Sequence, residues 1–195
     1  MPFLKTTDME KRFLITFTSL VLIAILFGCK KDEPITPDIT PNNLPEGHAH
    51  SLYNGILWEY DAYSWEHLNF PGRFNLTFNH YNEYGERSGS LSMNNITFNT
   101  GNYFLTEWIY ANGNIDTTKQ FCDFFTLFDG DALGDRYIPL NDSAMVLTVD
   151  AIELPNQISG RFWGTMVKQI GEMEYDPASP DTLVFSEGTY EVKLE

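Results

Sequence analysis

Apolar and polar residues alternate with a period of two along much of the chain after residue 50, a pattern that predicts β-strands with one buried face. The alternation is clear in four segments: 74–79, 90–98, 145–150 and 189–194. Within the second segment the parity changes at Asn94-Asn95, which predicts a β-bulge. Less regular strands are expected at 55–60, 103–110, 159–168 and 182–186.

Turn-forming residue pairs separate these segments. They are Pro71-Gly72, Tyr84-Gly85, Thr100-Gly101, Asn112-Gly113, Pro155-Asn156 and Asp176-Pro177. Asn112-Gly113 lies between aromatic runs and favours a two-residue hairpin. Phe121, Phe124, Phe125 and Phe128 have helical spacing, but the aromatic content of the segment favours a strand. The whole pattern predicts an all-β domain, either an antiparallel β-sandwich or a calycin-like barrel of about eight strands.

The first 28 residues have the composition of an export signal. Lys11 and Arg12 precede an uncharged segment, 13–27, which as a helix would span about 22 Å against roughly 30 Å of bilayer hydrocarbon. That length is typical of a cleaved signal peptide and short for a permanent membrane span. Met9 stands just before the basic pair and is an alternative start to Met1.

Leu26-Phe27-Gly28-Cys29 resembles the lipobox of bacterial lipoproteins, in which the cysteine receives a diacylglycerol and becomes the first residue after cleavage. The resemblance implies that Cys29 attaches the protein to a membrane. The next residues, Lys30-Lys31-Asp32-Glu33, resemble the surface-export signal of Bacteroidota-type lipoproteins, which implies an outer-membrane, surface-exposed location. We therefore expect three regions: a signal peptide at 1–28, a lipidated cysteine and Pro/Thr-rich spacer at 29–50, and one all-β domain at 51–195.

The net charge of the mature chain limits the classes of partner that it can bind. Removing residues 1–28 takes three basic and two acidic residues from totals of 12 and 27, so the mature chain has a formal charge of −16. Such a chain is unsuited to nucleic acid, because nucleic-acid binding depends on basic side chains that neutralise phosphates.

The second cysteine, Cys122, has no free thiol to pair with if Cys29 is lipidated, and we expect it to be buried and inert.

Short motifs in the folded region resemble those of uncharacterised β-sandwich or barrel lipoproteins common in Bacteroidota. They are the Trp58 strand after the spacer, Asn94-Asn95-Ile96 before Asn99-Thr100-Gly101-Asn102-Tyr103, and Ile158-Ser159-Gly160-Arg161-Phe162. The last motif resembles a strand whose partner in that group corresponds to Glu187–Val192. The resemblance implies a fold and supplies no mechanism.

Two clusters have the residue types that bind metal ions. Asp129, Asp131 and Asp135 in one acidic segment are candidate Ca²⁺ ligands, although the spacing does not match an EF-hand and favours a plain acidic turn. His48-Ala49-His50 places two imidazoles close together, but at the end of the predicted spacer no third ligand is near in sequence. His67 and His80 are isolated and are expected at the surface or in turns.

Aromatic residues are abundant, and most are expected to form the core. A ligand-facing subset would stack against a sugar ring, and Trp65 and Trp163 are the predicted outward members. Trp163 faces away from Phe162 and Met166 only if its strand is regular.

No signature of a catalytic site occurs in the sequence, so we expect no enzymatic activity; a carboxylate-pair hydrolase is the alternative. No resident cofactor is expected apart from the possible Ca²⁺ ion. We predict a non-enzymatic binding or adhesion module of the cell envelope that holds a glycan or an envelope protein. The alternatives are a carrier that encloses a small apolar ligand and a structural subunit of an envelope complex.

Overall fold

A computed structural model describes residues 47–68, 70–107, 110–111, 114–116, 118–128, 130–153, 156–169, 176 and 178–194. The predicted signal peptide, Cys29 and most of the predicted spacer lie outside the described residues. All regular structure among the described residues is β-strand, so the all-β prediction is confirmed. No helix among them is long and apolar enough to span a membrane.

The described residues form twelve strands. They are β1 (Gly47–Tyr53), β2 (Ile56–Glu66), β3 (Arg73–Tyr81), β4 (Arg87–Thr97), β5 (Gly101–Leu105), β6 (Tyr110–Ala111), β7 (Asn114–Ile115), β8 (Phe121–Phe128), β9 (Ala132–Pro139), β10 (Met145–Glu153), β11 (Gln157–Lys168) and β12 (Thr182–Lys193). The segment with helical phenylalanine spacing is strand β8, as its aromatic content favoured.

Eight strands close into an antiparallel barrel in the order β12-β1-β2-β3-β4-β8-β9-β11, and β11 returns to β12. The barrel is therefore the correct one of the two predicted architectures. β11 pairs with β12 along one edge, while its other edge pairs with β10 near its start and with β9 near its end. β5 extends the sheet beyond β10.

The first strand begins earlier than the sequence suggested. Residues 47–50 belong to β1, whereas the sequence predicts a spacer up to residue 50, and β1 pairs with both β2 and β12. Its inward residues are the small Ala49 and Ser51, so no hydrophobic alternation marks it as a strand. The β1–β2 hairpin turns at Asn54-Gly55, where both residues have positive φ (48° and 82°) as a type I′ turn requires.

The predicted bulge at Asn94-Asn95 is confirmed. The register between β3 and β4 shifts there, and Asn95 has a φ of 67°. Asn95 is held by its backbone N–H, which donates to Asn75 Oδ1 at 2.9 Å, and by its own Oδ1, which accepts from Arg73 at 2.7 Å. The bulge therefore returns Ile96 to the buried face of β4 after Met93.

Strands β6 and β7 form a separate two-stranded hairpin. Tyr110 pairs with Ile115 and Ala111 with Asn114, which are the pairs that flank a two-residue loop. Asn112-Gly113, the predicted turn, lies outside the described residues, so its conformation stays a prediction.

Strands β11 and β12 fit together through reciprocal pairs of one glycine and one aromatic residue. Gly160 lies opposite Tyr190, and Phe162 lies opposite Gly188. A methyl group at Gly160 would fall on the carbonyl oxygen of Thr148 and 2.7 Å from the Tyr190 hydroxyl, while one at Gly188 would come within 2.8 Å of the Phe162 ring. These two strands carry the motif pair that resembled the Bacteroidota lipoproteins, and the pairing explains why each needs its glycine.

Candidate functional site

Aromatic rings fill the centre of the barrel. Tyr60, Phe78, Phe162 and Tyr190 contact one another with ring centroids 5.1–6.4 Å apart, and all four are buried. The hydroxyl groups of the two tyrosines are both hydrogen-bonded. Tyr190 donates to the Thr148 carbonyl at 3.1 Å, and Tyr60 shares a 2.9 Å hydrogen bond with the Ser51 hydroxyl. A closed barrel is compatible with the carrier of a small apolar ligand that the sequence left as an alternative, and these rings fill part of its interior.

His80 lies on strand β3 and not in a turn, and its ring is half-buried. Its ring stacks on Trp58 at 3.8 Å, and Trp58 stacks in turn on Tyr53 at 3.8 Å. Its Nδ1 shares a 2.8 Å hydrogen bond with the Ser88 hydroxyl. Desolvation lowers the pKa of His80 below its ordinary value of 6.5, because burial disfavours the charged imidazolium.

We expect the barrel to lose stability as the pH falls below 6.5, and His80→Phe to remove part of that loss. A histidine whose pKa is lower in the folded state stabilises the fold fully only above its unfolded pKa, and this contribution disappears as the pH falls through the folded value. The measurement is the melting temperature of both proteins between pH 7.5 and 5. Parallel curves for the two proteins would contradict the assignment.

The two predicted outward tryptophans both face solvent. Trp65 on β2 is 42% exposed and Trp163 on β11 is 40% exposed, whereas Phe162 and Met166 are fully buried. Trp163 therefore faces away from Phe162 and Met166, as the alternation of a regular strand predicts. In the barrel β11 and β2 are separated by β12 and β1. The strand registers also bring Trp163 level with the start of β2, whereas Trp65 lies near the end of β2, so the two tryptophans do not form one site.

Trp163 instead belongs to an apolar row with two residues that the sequence did not single out. Phe104 on β5 pairs with Val146 on β10, and Val146 pairs with Trp163 on β11. Phe104 is 56% exposed, while Val146 between the two rings is only 8% exposed. Two strand spacings put the aromatic positions about 9.5 Å apart. We call Phe104, Val146 and Trp163 the aromatic platform.

A row of polar side chains lies two residues away along the same strands, and therefore on the same face. Asn102, Thr148 and Arg161 are paired in register on β5, β10 and β11, next to the aromatic platform. Thr148 Oγ1 donates to Asn102 Oδ1 at 2.8 Å, and Arg161 donates two hydrogen bonds to Asp150 at 2.9 and 3.0 Å. These hydrogen bonds from Arg161 lower the pKa of Asp150, which is therefore ionised at neutral pH. We call Asn102, Thr148, Arg161 and Asp150 the polar row.

The paired histidines lie on the outer face of β1. His48 is directly opposite Asp61, and His50 is directly opposite Glu59, both on β2. A cleft of about 440 Å³ has seven lining residues: His48, Ala49, His50, Glu59, Tyr60, Asp61 and Tyr81. The sequence suggested no third ligand because the carboxylates belong to the neighbouring strand.

The acidic segment considered for Ca²⁺ is divided between two environments. Asp131 is exposed at the β8–β9 turn, whereas Asp135 points into the barrel and pairs with Lys168 at 3.5 Å. Asp129 lies outside the described residues. Across the part of the chain that the structure describes, no three His, Cys, Asp or Glu side chains are already arranged to hold a metal ion.

Cys122 is fully buried on β8, where it pairs in register with Met93. Burial and the neighbouring Asp123 carboxylate raise the pKa of its thiol well above the ordinary value, so the nucleophilic thiolate is disfavoured. This matches the expected inert thiol.

Comparison with known proteins gives no further assignment. No protein-family model matches the sequence, and no curated protein or solved structure has significant similarity to it.

Proposed function

We propose that this chain is a non-enzymatic binding module of the cell envelope, anchored through lipidated Cys29, which holds a neutral glycan on the aromatic platform. The observation that supports the proposal is the exposed pair Phe104 and Trp163 flanking Val146, with the polar row directly beside it. Large apolar surface that stays exposed and is bordered by polar groups is a feature of binding sites.

The two rows match the two kinds of surface on a sugar. A pyranose ring has an apolar face of C–H groups, which packs against the flat face of an aromatic side chain. Its hydroxyl groups lie at the ring edge and both donate and accept hydrogen bonds. Asn102 and Arg161 offer amide and guanidinium groups at that edge, and Asp150 offers an acceptor.

The spacing favours a chain of sugars. The aromatic positions are about 9.5 Å apart, which is roughly the length of two linked pyranose rings. A linear glycan lying across β5, β10 and β11 would therefore stack on Phe104 and Trp163 together while its hydroxyls face the polar row.

Electrostatics favour an uncharged ligand. The complete sequence has a formal net charge of −15 at pH 7, and Arg161 on the polar row is already paired with Asp150. Anionic polysaccharides would be repelled at long range, whereas a neutral chain would not.

The test is binding of the full chain, in detergent, to a panel of neutral and anionic linear polysaccharides. We expect saturable binding to at least one neutral polysaccharide, and Trp163→Ala or Phe104→Ala should weaken it about tenfold, which is about 1.4 kcal/mol. Trp65→Ala is the matched control, because this tryptophan has the same exposure on another strand.

Two results would contradict the proposal. One is the absence of binding to every neutral polysaccharide in the panel. The other is equal loss of binding in Trp65→Ala and Trp163→Ala, which would show that the aromatic platform has no special part.

A further inference from the structure

Two histidines on β1 lie opposite two carboxylates on β2, and β1 is two strands from the strand that carries Trp163. His48 and His50 are two residues apart on β1, so both project outward from the same face at positions about 6.6 Å apart. Each imidazole has a carboxylate directly opposite on β2, Asp61 for His48 and Glu59 for His50. Side chains at such opposed positions have Cβ atoms about 5 Å apart.

These side chains are not committed to other partners. Those of His48, Glu59 and Asp61 make no hydrogen bond or ion pair to any residue that the structure describes. His50 has its ring nitrogens 3.2 Å from the Thr189 hydroxyl, a contact that an exposed side chain can exchange for another. Asp61 is half-buried, so a cation beside its carboxylate would offset the free-energy cost of removing this charge from water.

We propose that His48 and His50 bind one divalent transition-metal ion together with Asp61 or Glu59. Imidazole nitrogens suit Zn²⁺, Cu²⁺ and Ni²⁺, and a carboxylate oxygen completes the nitrogen-and-oxygen ligand set that Zn²⁺ accepts. The backbone register places the four side chains at neighbouring positions on one face of β1 and β2, and the cleft of about 440 Å³ leaves room for the ion and a further ligand. The side chains have to rotate to converge, because they are not arranged as ligands in the free protein.

The site is independent of the aromatic platform. β12 lies between β1 and β11, and none of the platform residues lines the cleft. Metal binding can therefore fail without affecting the proposed glycan binding, and the reverse also holds.

The test is a Zn²⁺ titration of the full chain in detergent, in competition with a chromophoric zinc indicator. We expect saturable binding of one ion per chain with micromolar affinity. His48→Gln and His50→Gln should each weaken binding at least about tenfold, and Asp61→Asn with Glu59→Gln should weaken it by a similar factor.

His67→Gln and Trp163→Ala are the controls, and both should bind Zn²⁺ as the unaltered chain does. His67 lies beyond the end of β2 with its ring against Phe70, away from the cleft. The proposal is overturned if Zn²⁺ does not saturate the unaltered chain below about 1 mM, a free energy of about −4.1 kcal/mol. It is also overturned if His48→Gln and His50→Gln bind as tightly as the control variants.

Discussion

Gly160→Ala is expected to destabilise the barrel by about 3 kcal/mol, the upper range for inserting one methyl group into a packed interior. The added methyl would fall on the carbonyl oxygen of Thr148, and it would also come within 2.7 Å of the Tyr190 hydroxyl. Backbone on one side and a buried ring on the other leave no direction in which the methyl can move. The measurement is urea unfolding followed by tryptophan fluorescence.

A second variant separates the two clashes that the added methyl would make. In a Tyr190→Phe background the hydroxyl contact is absent but the Thr148 carbonyl remains, so Gly160→Ala should still be strongly destabilising. Ser159→Ala, one residue earlier on the outer face of β11, is the control and should change stability by less than about 0.5 kcal/mol. A loss below about 1 kcal/mol for Gly160→Ala would contradict the close fit of β11 against its neighbours.

Asp135→Asn is expected to destabilise the protein by about 3–5 kcal/mol, because it leaves the Lys168 ammonium buried beside a neutral group. The Asp135 and Lys168 side chains are 1% and 6% exposed, and Asp135 Oδ2 lies 3.5 Å from Lys168 Nζ. Lys168 also donates to the Asp176 carbonyl at 3.1 Å, which fixes the ammonium at this end of the barrel. Lys168→Met should be equally harmful, because it leaves the carboxylate without its cation.

A double variant distinguishes the pair from simple packing. Asp135→Leu with Lys168→Met removes both charges, and it should lose less stability than either charge-breaking single variant. Asp150→Asn is the control, because it breaks the exposed Arg161 pair and should cost less than about 1 kcal/mol. Additive losses in the double variant would show that the two charges do not stabilise each other.

The strands that the sequence predicted well are those whose two faces differ sharply. In β3, β10 and β12 large apolar residues point inward and polar residues point outward over most of the strand, so a period of two is visible. The bulge at Asn94-Asn95 was visible for the same reason, since a strong alternation makes a change of parity evident.

Strand β1 was missed because its inward residues are small. Ala49 and Ser51 leave room for the large Tyr60 on the neighbouring strand, which shares a hydrogen bond with Ser51. The strand therefore resembled the polar spacer before it. The Asn54-Gly55 turn was the one local signal of a hairpin at this point, because this residue pair favours the type I′ conformation.

Closure of the barrel and the composition of the candidate sites depend on contacts between distant parts of the chain. The barrel closes where Pro139 on β9 meets Met166 on β11, a pairing with no local signature. Parity alone placed Trp163 at the surface, but only the register of β5, β10 and β11 brings Phe104 beside it. In the same way, only the register of β1 and β2 gives His48 and His50 their carboxylate neighbours.

Glycan binding at the aromatic platform is the central claim, and an NMR titration of the tryptophan indole N–H signals tests it most directly. The sequence has four tryptophans. Trp58 is partly buried against the core and stacks on His80, and Trp65 is exposed on β2. As the neutral polysaccharide that binds best is added, the Trp163 signal should shift and saturate, while the Trp58 and Trp65 signals stay in place. A saturating shift at Trp65 with none at Trp163 would contradict the account.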